Sequence, residues 1–315
     1  MYMKKNVELS DYSTFKIGGK ARYLVKVGSK KELEEIIGKA LKEKMPFFVL
    51  GGGSNTLISD KGFDGLAIIF KNEKPDILLK KEEIIEVESS ALLSFLVNRL
   101  DSFTGLEWAV GIPGTLGGAI NGNAGAFGQS ISDCVERVEV LDVSKGRPEK
   151  KEFEKKDCQF DYRSSVFKNN PQLIILSADL KLKKDDKQKI KERIKENKEK
   201  RRAQPQGFSL GSVFKNYYGE LDKTIIKKYP QLKQFQDKNG FVSAGFLIEE
   251  CGLKGMRIGD AEISPQHANF IINLGKAKSE NVLKLISLIK KEVKKKFLID
   301  LEEEIQIFPL STIDK

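Results

Sequence analysis

The chain has 315 residues, 40% apolar and 32% charged, with 27 glycines and a formal net charge of +10. That length gives room for two or three domains and a sizeable core. No apolar run approaches twenty residues, and the opening MYMKKNVELSDY has no apolar stretch before a cleavage site, so the expectation is a soluble cytoplasmic protein without membrane contact.

ARYLVKVGS (21–29) alternates as a half-buried strand does. Ser29 is placed to cap a helix over 30–43 whose apolar face is Leu33, Ile36, Ile37, Ala40 and Leu41. Pro46 stops that helix, and FFVL (47–50) and GLAIIF (65–70) read as short buried strands. A turn at 74–76 leads to a second unit, with a strand at IIEVES (84–89) and a helix over Leu92, Leu93, Phe95, Leu96 and Val97. Segment 105–128 is too rich in glycine for a regular helix or strand, with seven glycines between 111 and 128. Strands follow at 135–143 and 171–182. Residues 181–202 hold twelve basic and five acidic side chains, with Ile190 and Ile194 four apart, and read as a solvated amphipathic helix. No signature of a nucleic-acid module accompanies this charge, so no nucleic-acid partner is expected. A third unit starts near Pro205. Ser279 is placed to cap a final helix with Val282, Leu283, Leu285, Ile286, Ile289 and Val293 on one face, and 303–308 reads as the last strand.

Cys134, Cys158 and Cys251 are far apart, and His267 is the single histidine, so neither a disulfide framework nor a metal site is expected. The chemistry lies in the glycines. Gly51, Gly52, Gly53, Ser54 and Asn55 leave a strand, where bare backbone N–H groups can face a diphosphate. Neither the triphosphate nor the dinucleotide glycine fingerprint fits, and a tight turn accounts for the stretch equally well. A second glycine-rich stretch in the adjacent unit points to a long extended ligand held by both, and a flavin dinucleotide has that size.

TFKIGGKARY (14–23), VLGGGSNTLI (49–58), GLEWAVGIPGTLGGAINGNAGAFG (105–128), DYRSSVFK (161–168), GSVFKN (211–216), GLKGMRIGDAEISPQHANFIIN (252–273) and LEEEI (301–305) stand in that order. Together they resemble the UDP-N-acetylenolpyruvoylglucosamine reductase family over nearly the whole chain. The resemblance implies an α+β fold: a two-part FAD-binding module of the vanillyl-alcohol-oxidase type (1–73 and 74–196), then a C-terminal α/β substrate-binding domain (197–315). It implies NADPH-dependent reduction of UDP-N-acetylglucosamine enolpyruvate to UDP-N-acetylmuramate through non-covalent FAD, for peptidoglycan synthesis, by a monomer. The alternative is another FAD-dependent oxidoreductase acting on a small alcohol or sugar, which leaves YRSS, GSVFKN and QHANF without a reason.

By the same resemblance Arg163 holds and polarises the substrate carboxylate, Ser212 protonates the intermediate and Glu304 assists. Read as residues alone, Arg163 is equally a surface ion pair and Ser212 a turn serine after Gly211. Strand alternation puts Glu302 and Glu304 on one face, and only the motif register selects Glu304. Tyr162, Lys215, Asn216 and His267 are implied on the substrate side, with Arg201 and Arg202 as further candidates for its diphosphate. His267 is also readable as a structural, hydrogen-bonded ring. For FAD the implied contacts are Gly51, Gly52, Gly53, Ser54, Asn55, Gly111, Gly117, Gly118, Asn123, Ala124 and Gly125. The chain departs from the family in four places. The approach QPQGFSL (204–210) to Gly211 differs from the usual one. The interval from Arg163 to Ser212 is short, as in the compact branch that lacks a tyrosine-bearing closing segment. Segment 217–241 looks inserted, as a flap or a surface helix. Asp260 stands where a second glycine is usual.

Overall fold

The alternating stretch becomes the strand Lys20–Val27, and Ser29 caps the helix Lys30–Lys42 as expected, its hydroxyl accepting the Glu32 N–H at 3.2 Å. The computed structural model describes residues 3–72 and 74–309. Its contacts divide the chain into two units, one through Val7, Ala21–Gly53 and Phe63–Arg202, the other of Glu8–Lys20, Ser54–Gly62 and the chain from Ala203.

Among the described residues unit one holds two large sheets beside two short two-stranded ones. The first runs in the order Lys4–Glu8, Lys20–Val27, Phe63–Phe70 and Phe47–Leu50, with the last three strands parallel. The second is antiparallel, in the order Glu149–Glu154, Val135–Asp142, Leu173–Lys181, Ile84–Glu88 and Ile77–Lys81. Alternation, interrupted by a register shift between Glu139 and Val140, sorts its side chains: Val138, Val140, Ala178 and Leu180 join Trp108 and Leu96, while Leu141 and Leu176 join Leu33 and Ile37 of the first helix.

Charge is half-buried on that second side, and Asp179 is buried. Lys30 Nζ reaches Glu86 at 3.0 Å and Glu139 at 2.9 Å, Lys80 reaches Glu86 and Asp179 at 2.9 Å, and Arg137 reaches Asp179 at 2.8 Å. Burial pushes the Glu86 carboxyl up, but hydrogen bonds from Lys80 and Lys30, with their charges, outweigh it and hold the group at about 2. The folded value lies below the unfolded one, so this stabilisation is complete above the unfolded pKa and is lost as pH falls through the folded one. Urea unfolding followed from about pH 6 down to about pH 2 should lose roughly 3 kcal/mol through Glu86. Lys30→Met should cost about 2 kcal/mol near neutrality, by leaving carboxylates short of a partner, and should flatten that acid limb.

The basic run folds as the helix Lys187–Arg202, with Ile190 buried and Arg193 paired to Glu107 at 2.9 Å. No helix among the described residues is long and apolar enough to cross a membrane.

Unit two gathers around the helix Ser279–Phe297, whose Val282, Leu285, Ile286, Ile289 and Val293 are buried with Phe214, Val242, Leu247 and Ile271. Ser279 is the first helical residue and not its cap; its N–H is accepted by Asp60 at 2.6 Å. The last strand is shorter than expected, Gln306–Phe308, and pairs in parallel with Thr56–Ile58. That pairing, with Phe15, Ile17 and Leu57 in the same core, places 8–20 and 54–62 in unit two. The sequence reading had put both stretches in the first FAD subdomain. Local pattern carries no record of a pairing across about 250 residues.

The inserted segment is a helix pair, Lys223–Lys228 and Pro230–Asn239, closed at its base by Tyr217 and Val242, which exchange N–H···O bonds of 2.9 and 2.8 Å. Leu221, Ile225 and Leu232 are buried in the core, and the Tyr229 ring meets Phe297 edge-on at 5.2 Å. It is therefore built into the unit, and the flap reading does not hold.

Candidate active site

Three glycines in succession cost entropy and fill no core. In the structure the strand Phe47–Leu50 delivers Gly51 and Gly52 directly onto the second glycine-rich stretch. A Cβ on Gly51 would lie 2.4 Å from Thr115 Oγ1, and one on Gly52 would lie 2.6 Å from the Gly114 Cα. Gly53 and Gly111 have φ of +60° and +75°, the left-handed region that favours glycine. Against the expectation of no helix here, Leu116–Asn121 is one, with Thr115 Oγ1 accepting the Gly118 N–H at 3.3 Å. Its first turn leans on Ser89, whose C=O accepts the Gly117 N–H at 2.8 Å and whose Cβ would meet a Gly117 Cβ at 3.0 Å. Gly117 is tolerated in a helix because its close approach to Ser89 outweighs its poor propensity.

The DYRSS motif is a tight turn. Asp161 and Ser164 exchange two backbone hydrogen bonds of 3.1 Å, leaving Tyr162 and Arg163 at the tip. Arg163 has φ of +53°, a strained value for a residue with a side chain. Its guanidinium donates to the Gly125 C=O at 2.7 Å and the Asn123 C=O at 3.4 Å, and sits 5.3 Å from the Tyr162 ring centre. Ser165 Oγ donates to the Asn121 C=O at 2.7 Å, and Asn123 Nδ2 donates to the Asp161 C=O at 2.8 Å. The turn and the 121–125 loop are thus laced together, with the Arg163 guanidinium among the bonds that join them. Asn123 is buried with its side chain engaged on both ends, since Oδ1 also accepts the Ser132 N–H at 3.3 Å. Ala124 donates its N–H to Ala119 at 2.8 Å, and Gly125 allows the loop to close, because a Cβ there would lie 2.3 Å from the Gln129 oxygen. Of the two candidate arginines, Arg202 pairs with Glu199 at 2.8 Å and Arg201 donates to the Trp108 C=O at 2.9 Å beside the Phe127 ring.

Unit two brings another set together. Gly211, at φ +77°, precedes Ser212, which bridges to Phe270. Val213 donates its N–H to Asn269 and accepts the Glu304 N–H, both at 2.8 Å, so Ser212 and Glu304 lie on one small ladder. Asn55 donates its amide to the Glu304 C=O at 3.2 Å, which ties a residue expected at the cofactor to the segment just before the last strand. Two neighbouring carboxylates are committed elsewhere, Glu302 to Lys215 and Glu303 to Lys290, each at 3.0 Å. Asn216 Oδ1 accepts the Ala244 N–H at 3.2 Å. His267 Nδ1 accepts the Asn269 N–H at 3.2 Å, which leaves Nε2 as the ring's donor, and burial pushes its pKa down. Asn269, Thr115 and Ser165 were not anticipated from sequence; each is small and polar inside a recognised motif, where only its bonds distinguish it.

Burial pushes the Cys134 and Cys158 thiols up to about 12, so neither is a nucleophile. Among the described residues no cluster of three or more histidine, cysteine or acidic side chains is placed to hold a metal.

Residues 204–308 match the family model described as UDP-N-acetylenolpyruvoylglucosamine reductase, C-terminal domain, and residues 21–150 match the FAD binding domain model. A UDP-N-acetylenolpyruvoylglucosamine reductase from Caldicellulosiruptor bescii is 42% identical, over 97% of this chain and 93% of its own. The chain belongs to the UDP-N-acetylenolpyruvoylglucosamine reductase family. A reductase of the same name from Chlamydia felis is 38% identical, over 98% of this chain and 95% of its own. The fold agrees. The crystal structure of the Thermus caldophilus UDP-N-acetylenolpyruvylglucosamine reductase superposes with a TM-score of 0.75 at 34% identity, covering 98% of this chain and all of that one.

The residues present fit FAD, the cofactor of this reductase family. Two glycine-rich stretches meet backbone to backbone, with no side chain between Gly52 and Gly114. An extended dinucleotide needs such a paired, side-chain-free surface. Gly52→Ala forces backbone against backbone, where no flexible side chain can give way. It should lower stability by about 1–3 kcal/mol and yield protein depleted in FAD, read as a reduced flavin-to-protein absorbance ratio on purification.

Proposed function

We propose that this reductase converts UDP-N-acetylglucosamine enolpyruvate into UDP-N-acetylmuramate at the expense of NADPH, through non-covalently held FAD, in peptidoglycan precursor synthesis. The observation that carries the reading is a 42% match over 97% of the chain to a reductase of that activity, with the FAD-domain match inside it. FAD, held by the glycine-rich stretches of the chain, would supply the hydride chemistry that links NADPH to the methylene carbon of the enolpyruvyl ether.

The protein supplies position, charge and a proton. Hydride addition drives charge toward the substrate carboxylate, so a fixed cation there stabilises the transition state more than the ground state. Arg163 has that role, and its anchoring to the 123 and 125 carbonyls supports it, since a guanidinium held in place needs no reorganisation. Ser212 delivers the proton to the adjacent carbon. A hydroxyl is a weak acid and works only against a strongly basic carbon held close. Glu304, on the ladder with Ser212, assists by field or hydrogen bonding. Tyr162, Asn216 and His267 contact substrate. Lys215 exchanges its exposed partner Glu302 for the UDP diphosphate, a swap that costs little at a solvated pair. Gly51, Gly52, Gly53, Ser54 and Asn55 serve the FAD diphosphate, with Gly111, Gly117, Gly118, Asn123, Ala124 and Gly125 along the remainder. The enzyme works as a cytoplasmic monomer, where NADPH and the UDP-sugar are both found; light scattering tests the monomer.

The test is an anaerobic absorbance spectrum. Bands near about 370 and 450 nm should bleach with NADPH and return with the enolpyruvyl UDP-sugar. Protein that is colourless and takes up no added FAD would overturn the reading.

A further inference from the structure

Ser212 is held through a buried amide that no glycine or substrate motif singles out. Asn269 is 4% exposed. Its Oδ1 accepts the Phe214 N–H at 2.9 Å, and its Nδ2 donates to the Phe214 C=O at 2.8 Å. Its own C=O accepts the Val213 N–H at 2.8 Å, so one residue binds both residues that follow Ser212. Phe214 is 1% exposed, and its backbone groups must find partners inside the protein. A side-chain amide, with a donor and an acceptor side by side, satisfies both at once.

The clamp is itself held. Asn269 donates its N–H to His267 Nδ1 at 3.2 Å, and the next residue, Phe270, bridges to Ser212. The His267 ring lies 5.0 Å from the Phe270 ring, and a Cβ on Gly245 would meet its Cε1 at 3.0 Å. On the other side of Ser212, Gly211 has φ of +77° and contributes no side chain to hold the chain. The backbone that carries the Ser212 hydroxyl is therefore held from its C-terminal side by Asn269, together with the Phe270 bridge and the Glu304 N–H.

We propose that Asn269 is a positioning residue for proton delivery by Ser212, and that His267 orients it through the Asn269 N–H. The inference rests on Ser212 being the proton donor in the reaction proposed above. It assigns no role to Asn269 in reduction of the cofactor, and this separates it from a merely structural part.

Asn269→Asp keeps size and acceptor but loses the donor to Phe214 until its carboxyl is protonated. In the FAD-loaded enzyme, bleaching by NADPH should stay within about twofold of wild type, while recovery with the enolpyruvyl UDP-sugar should slow roughly 10- to 100-fold. Recovery should quicken as pH is lowered, because burial raises the pKa of the new carboxyl and protonation returns the donor. Without NADPH or sugar, hydrogen exchange over 211–216 should be faster in Asn269→Asp, and faster still in Asn269→Ala. Unchanged recovery in both variants overturns the proposal. So does an equal loss in both half-reactions with a lowered Tm, which marks a structural residue only. Wild-type enzyme that bleaches and never recovers would instead sink the proposed reaction, and the inference with it.

Discussion

Ser212→Ala should leave NADPH-driven bleaching of the flavin intact and slow its recovery with the enolpyruvyl UDP-sugar by roughly 10²- to 10⁴-fold, the span for a positioned proton donor. The substitution removes one oxygen from a partly buried position between Gly211 and the core residue Val213. The backbone bonds of the ladder, from Val213 to Asn269 and from Glu304 to Val213, do not involve the hydroxyl. The folded protein should survive, with a Tm within a few degrees of wild type. A stopped-flow trace of each half-reaction decides the matter. Equal rates of recovery in variant and wild type would take the proton donor away from Ser212. Ser212→Cys should restore part of the loss, since a thiol keeps a transferable proton at nearly the same place.

Arg163→Lys should also slow recovery, by roughly 10²- to 10³-fold, the usual effect of losing one fixed donor at developing negative charge. Lysine preserves the charge but not the planar fork that bonds the Asn123 and Gly125 carbonyls. The loss should therefore extend beyond the carboxylate. The 121–125 loop is braced by Arg163, Ser165 and the Asn123–Asp161 bond together, and removing one brace should lower stability by about 1–2 kcal/mol. Arg163→Gly separates the two effects. It relieves the left-handed backbone at φ +53° while deleting the guanidinium, so it should recover some stability relative to Arg163→Ala with no gain in rate. Urea unfolding and the half-reaction traces, run on all three variants, give both readings. Full activity in Arg163→Lys would mean that charge alone suffices and that the fork serves only the fold.

The local elements and the family are legible in the sequence. The helix Lys30–Lys42 with its Ser29 cap follows from a 3.6-residue period and a side-chain oxygen at the right place. The seven ordered motifs, and with them the family, are properties of local sequence. Local pattern failed where the deciding contact was distant. The helix Leu116–Asn121 contradicts glycine propensity because Gly117 must lie against Ser89. The inserted segment resembled a flap until Leu221, Ile225 and Leu232 proved to be core.

The sequence by itself determined the family, the α+β character, the cofactor and the residue types available for chemistry, because each is written in motifs of ten or so neighbouring residues. Only the tertiary structure decided what each of those residues is bound to. Alternation says that Glu302 and Glu304 share a face, but not that Lys215 and Lys290 wait beside Glu302 and Glu303. A run of three glycines says that something comes close, but not that it is Thr115 and Gly114 of the same chain. Asn269 stands inside a recognised motif that does not mark it; its proposed role lies in hydrogen bonds to a residue 55 positions earlier. Hydrogen bonds and steric contacts depend on distance in space, and a sequence records only distance along the chain.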